Sequence, residues 1–150
     1  MYNMSENLNL CGCKTYNHIT VYFKNLYVFD WYDGPLDELC VNFKTNELFF
    51  KIIIDEDENL DPRWLIFFVK KENLLLYLNG KIGRIDLLNL NNFCIIQDSQ
   101  LMEYILKVED IPKKYLLFKN NITNNNDDDI VFSHNKYSIN QLKEIIQEYK

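Results

Sequence analysis

The residues equipped for chemistry are few and scattered. Two histidines, His18 and His134, and four cysteines, Cys11, Cys13, Cys40 and Cys94, are the candidates for general base, nucleophile or soft metal ligand. A catalytic nucleophile needs a base beside it. Neither histidine has a local partner that suggests a triad, and a cysteine–histidine pair from distant sequence is a question of geometry alone. Cys11, Cys13 and His18 offer three zinc ligands, but Cys-x-Cys is not the usual knuckle spacing and no fourth ligand is near. Cys40 and Cys94 lie in apolar runs and read as small buried hydrophobes.

The acid-rich stretch offers calcium as a further possibility. Asp55, Asp57 and Asn59 match the opening positions of an EF-hand loop, but Leu60 stands where the sharp turn needs Gly and Ile66 where the site needs a closing Glu. The four glycines, Gly12, Gly34, Gly80 and Gly83, are too dispersed to cradle a phosphate. None of the 22 acids is singled out by its context as half of a general acid–base pair. The expectation is therefore no catalytic residue, no metal and no cofactor.

The bulk of the chain sets further bounds. At 150 residues it is long enough for one domain with a real core, and its 47% hydrophobic and 15% aromatic content excludes wholesale disorder. The net charge of -6, with 16 Lys and Arg scattered along the chain, lacks the basic face that phosphate contacts need, so nucleic acid is not an expected partner. No apolar run approaches the ~20 residues that span a bilayer, and the first residues carry no basic-then-apolar leader. A cytoplasmic location with no membrane contact is expected, and with it free thiols rather than a disulfide framework. Alanine is absent and Asn, Ile, Lys, Phe and Tyr abound, as codons of an AT-rich gene would give, so Asn and Tyr counts carry little functional weight.

The elements that must position these residues begin after a polar arm at 1–17. Alternating β-branched and aromatic residues predict strands at His18–Phe23, Leu26–Tyr32, Leu36–Phe43, Glu47–Ile54 and Arg63–Val69, with turns at Asp33-Gly34-Pro35 and Lys44-Thr45-Asn46. The six apolar residues within Arg63–Val69 predict burial on both faces, so something must cover this sheet. Two short helical faces, Glu72–Leu78 and Ile82–Leu88, supply the cover, and Asn79-Gly80 ends the first. Strands at Phe93–Gln97 and Leu101–Val108 and an extended piece at Leu116–Lys119 complete a single domain over 18–119. An acidic low-complexity loop follows at 120–130. Ser138 and Gln141 form a capping-box pair, and Ile139, Leu142, Ile145, Ile146 and Tyr149 fall on one face of a C-terminal helix over 138–150 that docks on the domain. The fold class expected is α+β: a mostly antiparallel meander covered by short helices, plus this amphipathic helix.

One motif carries a family resemblance. Tyr32-Asp33-Gly34-Pro35 ends an aromatic strand. An apolar strand, an acidic tract, a Trp-bearing strand, two short helices around Gly80-Lys81-Ile82, and Glu109-Asp110-Ile111-Pro112 follow in that order. This order resembles an uncharacterised family of small bacterial domains with a YDGP hairpin, over roughly Leu26–Leu117. The family has no assigned activity. The resemblance implies an α+β domain in a bacterial protein, in company with defence, toxin or mobile-element genes.

The function expected is a non-enzymatic protein-binding module, of the inhibitor or immunity type, facing a basic toxin or effector. Charge complementarity would speed the encounter and aromatics would anchor it. The candidate contact residues are Trp31, Tyr32 and Asp33 on the hairpin, and Asp55, Glu56, Asp57 and Glu58 with Trp64 at the far end of the meander. The competing reading places both tryptophans in the core and leaves the acids merely solvated. Two alternatives stand beside this one: a small nuclease or thiol-dependent enzyme, and a homodimer subunit that joins its twin through an unpaired edge such as His18–Phe23.

Overall fold

Six strands among the described residues lie side by side in chain order, β1-β2-β3-β4-β5-β6, and every neighbouring pair is antiparallel. The architecture is a computed structural model that describes residues 18–31, 34–56, 62–116, 118–122 and 135–150, with the side chains of Trp31, Pro35, Asp55 and Glu56 outside the description. The strands are β1 Phe23–Trp31, β2 Pro35–Asn42, β3 Glu47–Glu56, β4 Pro62–Val69, β5 Phe93–Gln97 and β6 Glu103–Lys107. Among the described residues the α-helices are α1 Lys71–Leu78 and α2 Arg84–Asn89, which join β4 to β5, and α3 Ile139–Ile145. The α+β meander with short helices is thus observed. Among the described residues no helix is long and apolar enough to cross a membrane.

Alternation of side chains along each strand gives the sheet two faces. Leu39, Val41, Leu48, Phe50, Ile52, Leu65, Phe67, Val69, Cys94 and Ile96 share one face, where they form a single core with Leu74, Tyr77 and Leu78 of α1, Leu87 and Leu88 of α2, and Leu142 and Ile146 near the C-terminus. Each fully buried aliphatic or aromatic side chain contributes about 1.5–3 kcal/mol relative to exposure. The second face is apolar as well. Cys40, Phe49 and Ile66 are buried there, and Phe23 stacks on Phe49 with ring centroids 4.9 Å apart. Strand β4 is buried on both faces, as its continuous apolar run implies.

Several boundaries differ from the sequence reading. The first strand does not begin at His18, because Ile19–Tyr22 is a 3-10 turn and β1 starts at Phe23. The reason lies across the sheet. The Glu103 carboxylate accepts from the backbone N–H of Ile19 (3.1 Å) and Thr20 (3.4 Å) and from the Thr20 hydroxyl (2.9 Å), which satisfies donors that a ladder would otherwise use. The turn read over Ile111–Tyr115 is present as a 3-10 turn at Lys113–Leu116, which takes in Leu116, the first residue of the expected extended piece. At the C-terminus the Ser138 hydroxyl accepts from Gln141 N (3.2 Å) and Gln141 Oε1 from Ser138 N (2.9 Å), but regular helix stops at Ile145 and tightens into a 3-10 turn over Ile146–Glu148. The expected arm at 1–17 and the acidic stretch 123–130 lie outside the described residues.

The junction before α2 depends on a close approach. Asn120 lies over the helix start: its carbonyl accepts from Arg84 N (2.8 Å) and its side-chain oxygen from Ile85 N (2.8 Å). Asp86 accepts from Gly83 N (2.9 Å). A methyl group on Gly83 would collide with the Asn120 side chain. We expect Gly83→Ala to destabilise the fold by about 1–3 kcal/mol. Asn120→Ala should cost about 1 kcal/mol through the lost cap. The double variant should be less unstable than the sum, which a urea-denaturation cycle measures; strict additivity would show that the collision is absent.

Candidate functional site

Antiparallel order sends alternate connections to the same end of the sheet. The β1–β2, β3–β4 and β5–β6 connections therefore share one end, and the β2–β3 turn and the β4–α1 junction share the other. The first end gathers acids. Asp30 closes β1 opposite Asp37, Asp55 and Glu56 close β3 opposite Arg63 and Pro62, and Asp98 and Glu103 flank the β5–β6 turn. Arg63 and Lys114 bring positive charge there, each against the Tyr115 ring at 5.9 and 5.0 Å. The opposite end mixes Lys44, Lys70, Lys71 and Lys107 with Glu47, Glu72 and Glu109.

The candidate contact residues fall into place accordingly. The backbones of Trp31, opposite Pro35, and of Asp55 and Glu56 lie at this shared end, not at two separate ends of the meander. Trp64 is close by, paired with Ile53 and Gln97 on the second face; it is half-buried, with the Lys51 ammonium 4.9 Å from its ring centroid. Tyr32, Asp33, Asp57 and Glu58 lie outside the described residues.

Beneath the acidic end sits a buried charge. Arg84, in the first turn of α2, is 1% exposed. Its guanidinium lies 4.7, 5.1 and 5.2 Å from the ring centroids of Phe29, Phe50 and Tyr77. It donates through Nε to the Tyr77 hydroxyl (2.8 Å) and forms an ion pair with the buried Asp37. Burial pushes the guanidinium down to about 9, against the pull of Asp30, so it stays charged at neutral pH. Burial likewise raises the Tyr77 phenol, which remains protonated as it accepts. Asp37 Oδ1 finds no hydrogen-bond donor among the described residues.

A second polar cluster stands on the opposite face of the same end. Glu103 is fully buried, Gln97 Nε2 donates to Thr20 Oγ1 (2.8 Å), and His18 Nδ1 lies 3.7 Å from the Glu103 carboxylate and 3.2 Å from Leu101 O. At 3.7 Å the His18–Glu103 contact is longer than a hydrogen bond, and the histidine is half-exposed. The cluster pins the 3-10 turn to β5 and β6.

Sequence reasoning missed Arg84, Asp37, Gln97, Thr20 and Glu103. A signal existed for two of them. Asp37 alternates in phase with the apolar Leu39 and Val41, which marks an inward carboxylate, and Arg84 is one of only two arginines in the chain. The two described cysteines are buried, as expected. Burial, the Glu38 charge and a hydrogen bond to Glu38 Oε1 (3.1 Å) raise the Cys40 thiol well above its usual range, against Lys51, and burial pushes Cys94 up to about 12. Both stay protonated at neutral pH, the reverse of what a reactive thiolate needs. Among the described residues no group of three His, Cys, Asp or Glu side chains could hold a metal.

No family model, curated protein or solved structure matches the chain.

Two measurements probe this end. Arg84→Met should cost about 3–5 kcal/mol because it strands the Asp37 carboxylate, while the double variant Arg84→Met/Asp37→Leu should recover most of that loss in chemical denaturation. In a Cys11→Ser/Cys13→Ser background, Cys40 and Cys94 should resist a thiol reagent at pH 8 in the folded protein and react fully in denaturant. Rapid native labelling of either would contradict their burial.

Proposed function

We propose that the protein is a non-enzymatic protein-binding module whose acid-rich sheet end receives a basic partner, in the manner of an inhibitor or immunity protein. The observation that carries the reading is the convergence of the β1–β2, β3–β4 and β5–β6 connections, with Asp30, Asp55, Glu56 and Asp98, at one end of the meander. A field of one sign over a compact surface speeds and orients encounter with a partner of the other sign. Trp31 and the half-buried Trp64 stand at the same end as candidate anchors, with Tyr32, Asp33, Asp57 and Glu58 as further contacts by sequence position. The resemblance to the small bacterial YDGP-hairpin domains supplies the setting, a bacterial defence or toxin locus; the cytoplasm is the site of action that goes with this reading.

The buried, protonated state of Cys40 and Cys94 speaks against a thiol-dependent enzyme built on either. The acidic end disfavours a nuclease, which must receive phosphates.

Affinity capture from the native host tests the reading. The wild-type protein should retain a basic partner in a salt-sensitive manner. Asp55→Lys/Glu56→Lys should lower the association rate at least tenfold, whereas Lys70→Glu, at the opposite end, should not. Equal capture by all three proteins, or capture by none, rejects the acidic end as the binding surface.

A further inference from the structure

Among the described residues two positions other than glycine have a positive φ, Asn46 and Leu101. Asparagine accepts that conformation readily; leucine does not. Leu101 sits at a φ of 65° in the turn that joins β5 to β6. Asp98 N donates to Met102 O and Leu101 N to Asp98 O, both at 3.0 Å. The turn is thus a three-residue hairpin loop whose last position is left-handed, where glycine is usual because a Cβ is crowded there. The leucine gains no burial in return, since it is 64% exposed. The fold has no need of this side chain.

The turn that displays it is heavily bonded. Asp98 Oδ1 accepts from Gln100 N (3.0 Å) and Met102 N (2.9 Å), and the Tyr104 hydroxyl lies 3.4 Å from Asp98 Oδ2. His18 Nδ1 approaches Leu101 O at 3.2 Å. On either side of the turn Gln97 and Glu103 are buried and tied to Thr20. A solvent-facing apolar side chain, strained and held on a loop fixed in this way, has the features of a preorganised contact: its backbone is ordered before a partner arrives.

The place of the turn in the fold supplies the chemistry around it. The β5–β6 connection belongs to the sheet end that carries Asp30, Asp55, Glu56 and Asp98. Strands lie about 4.8 Å apart, so the turn stands about 12 Å from the end of β3. A partner footprint of about 800 Å² is about 30 Å across and takes in both.

We infer that Leu101 is the apolar anchor of this surface, and that the partner is a basic protein with an apolar pocket ringed by lysine or arginine. The inference rests on the acidic end as the binding surface and adds the side chain that gives the contact its lifetime. Charge steers the approach, and the leucine, once buried in the pocket, slows the departure.

The protein that the wild type retains from a native-host lysate, once purified, is the titrant for stopped-flow binding. Leu101→Gly should weaken binding about tenfold or more through faster dissociation, with association nearly unchanged. The thermal midpoint of the free variant should be unchanged or raised, because glycine is at ease at positive φ. Leu101→Met keeps an apolar side chain and should bind nearly as wild type. Asp55→Lys/Glu56→Lys should instead slow association, and added salt should shrink that difference but not the one at Leu101. Wild-type affinity in Leu101→Gly overturns the inference and leaves the acidic surface standing. So does a lowered thermal midpoint in that variant, which would make the leucine a support of the fold. Unchanged association in Asp55→Lys/Glu56→Lys rejects the acidic surface and with it the basic partner inferred here, and the absence of any retained protein rejects both.

Discussion

The buried ion pair between Arg84 and Asp37 is the constraint on which the arrangement of this domain turns. Moving a guanidinium out of water costs several kcal/mol, and attraction to a single carboxylate offsets that only in good geometry. Here the compensation comes from three directions: the Asp37 carboxylate, the Tyr77 hydroxyl, and the faces of Phe29, Phe50 and Tyr77. Those groups belong to β1, β2, β3 and α1, and the arginine to α2. Satisfying one charge therefore fixes five elements relative to one another, which dispersion and hydrophobic burial alone would do less specifically. It also sets a permanent cation beneath the sheet end where Asp30, Asp55 and Glu56 stand.

The second face solves a related problem with neutral donors. Glu103 has no guanidinium at hand. Its carboxylate is held by two backbone N–H groups and a hydroxyl from the turn that precedes β1. That turn crosses from β6 to β2, where Phe43 N donates to Tyr22 O at 3.0 Å. The chain is thereby tied across its own sheet, and the N-terminal turn becomes part of the fold.

Charge and edge chemistry follow from the meander itself. In a purely antiparallel sheet with neighbours in chain order, odd-numbered connections share one end, so acids distributed through three separate stretches of sequence meet in space. Among the described residues the same topology leaves two edge strands, β1 and β6. One carries an asparagine in place of a neighbouring strand; the other is short and is preceded by an exposed leucine. An edge of that kind is either a hazard or an interface.

The elements read best from sequence were those whose local signals agree: β2 through β5, the two short helices, and the capping pair at Ser138 and Gln141, each within a residue or two of its observed bounds. Periodicity, turn residues and caps are properties of neighbouring residues, so the chain by itself settles them. It also settles the acidic balance and the apolar content that demands a covered sheet. Three-dimensional packing decided the rest. Ile19–Tyr22 has strand-like composition but folds as a 3-10 turn because Glu103, more than eighty residues away, takes its donors. The C-terminal segment has the spacing of one helix but ends its regular turns early. The phase of Asp37 with Leu39 and Val41 marks it as inward, but the sequence does not show that Arg84 meets it there; both are buried because each supplies what the other needs. These outcomes depend on partners distant in sequence, and a pattern of neighbours holds no information about which distant groups will meet.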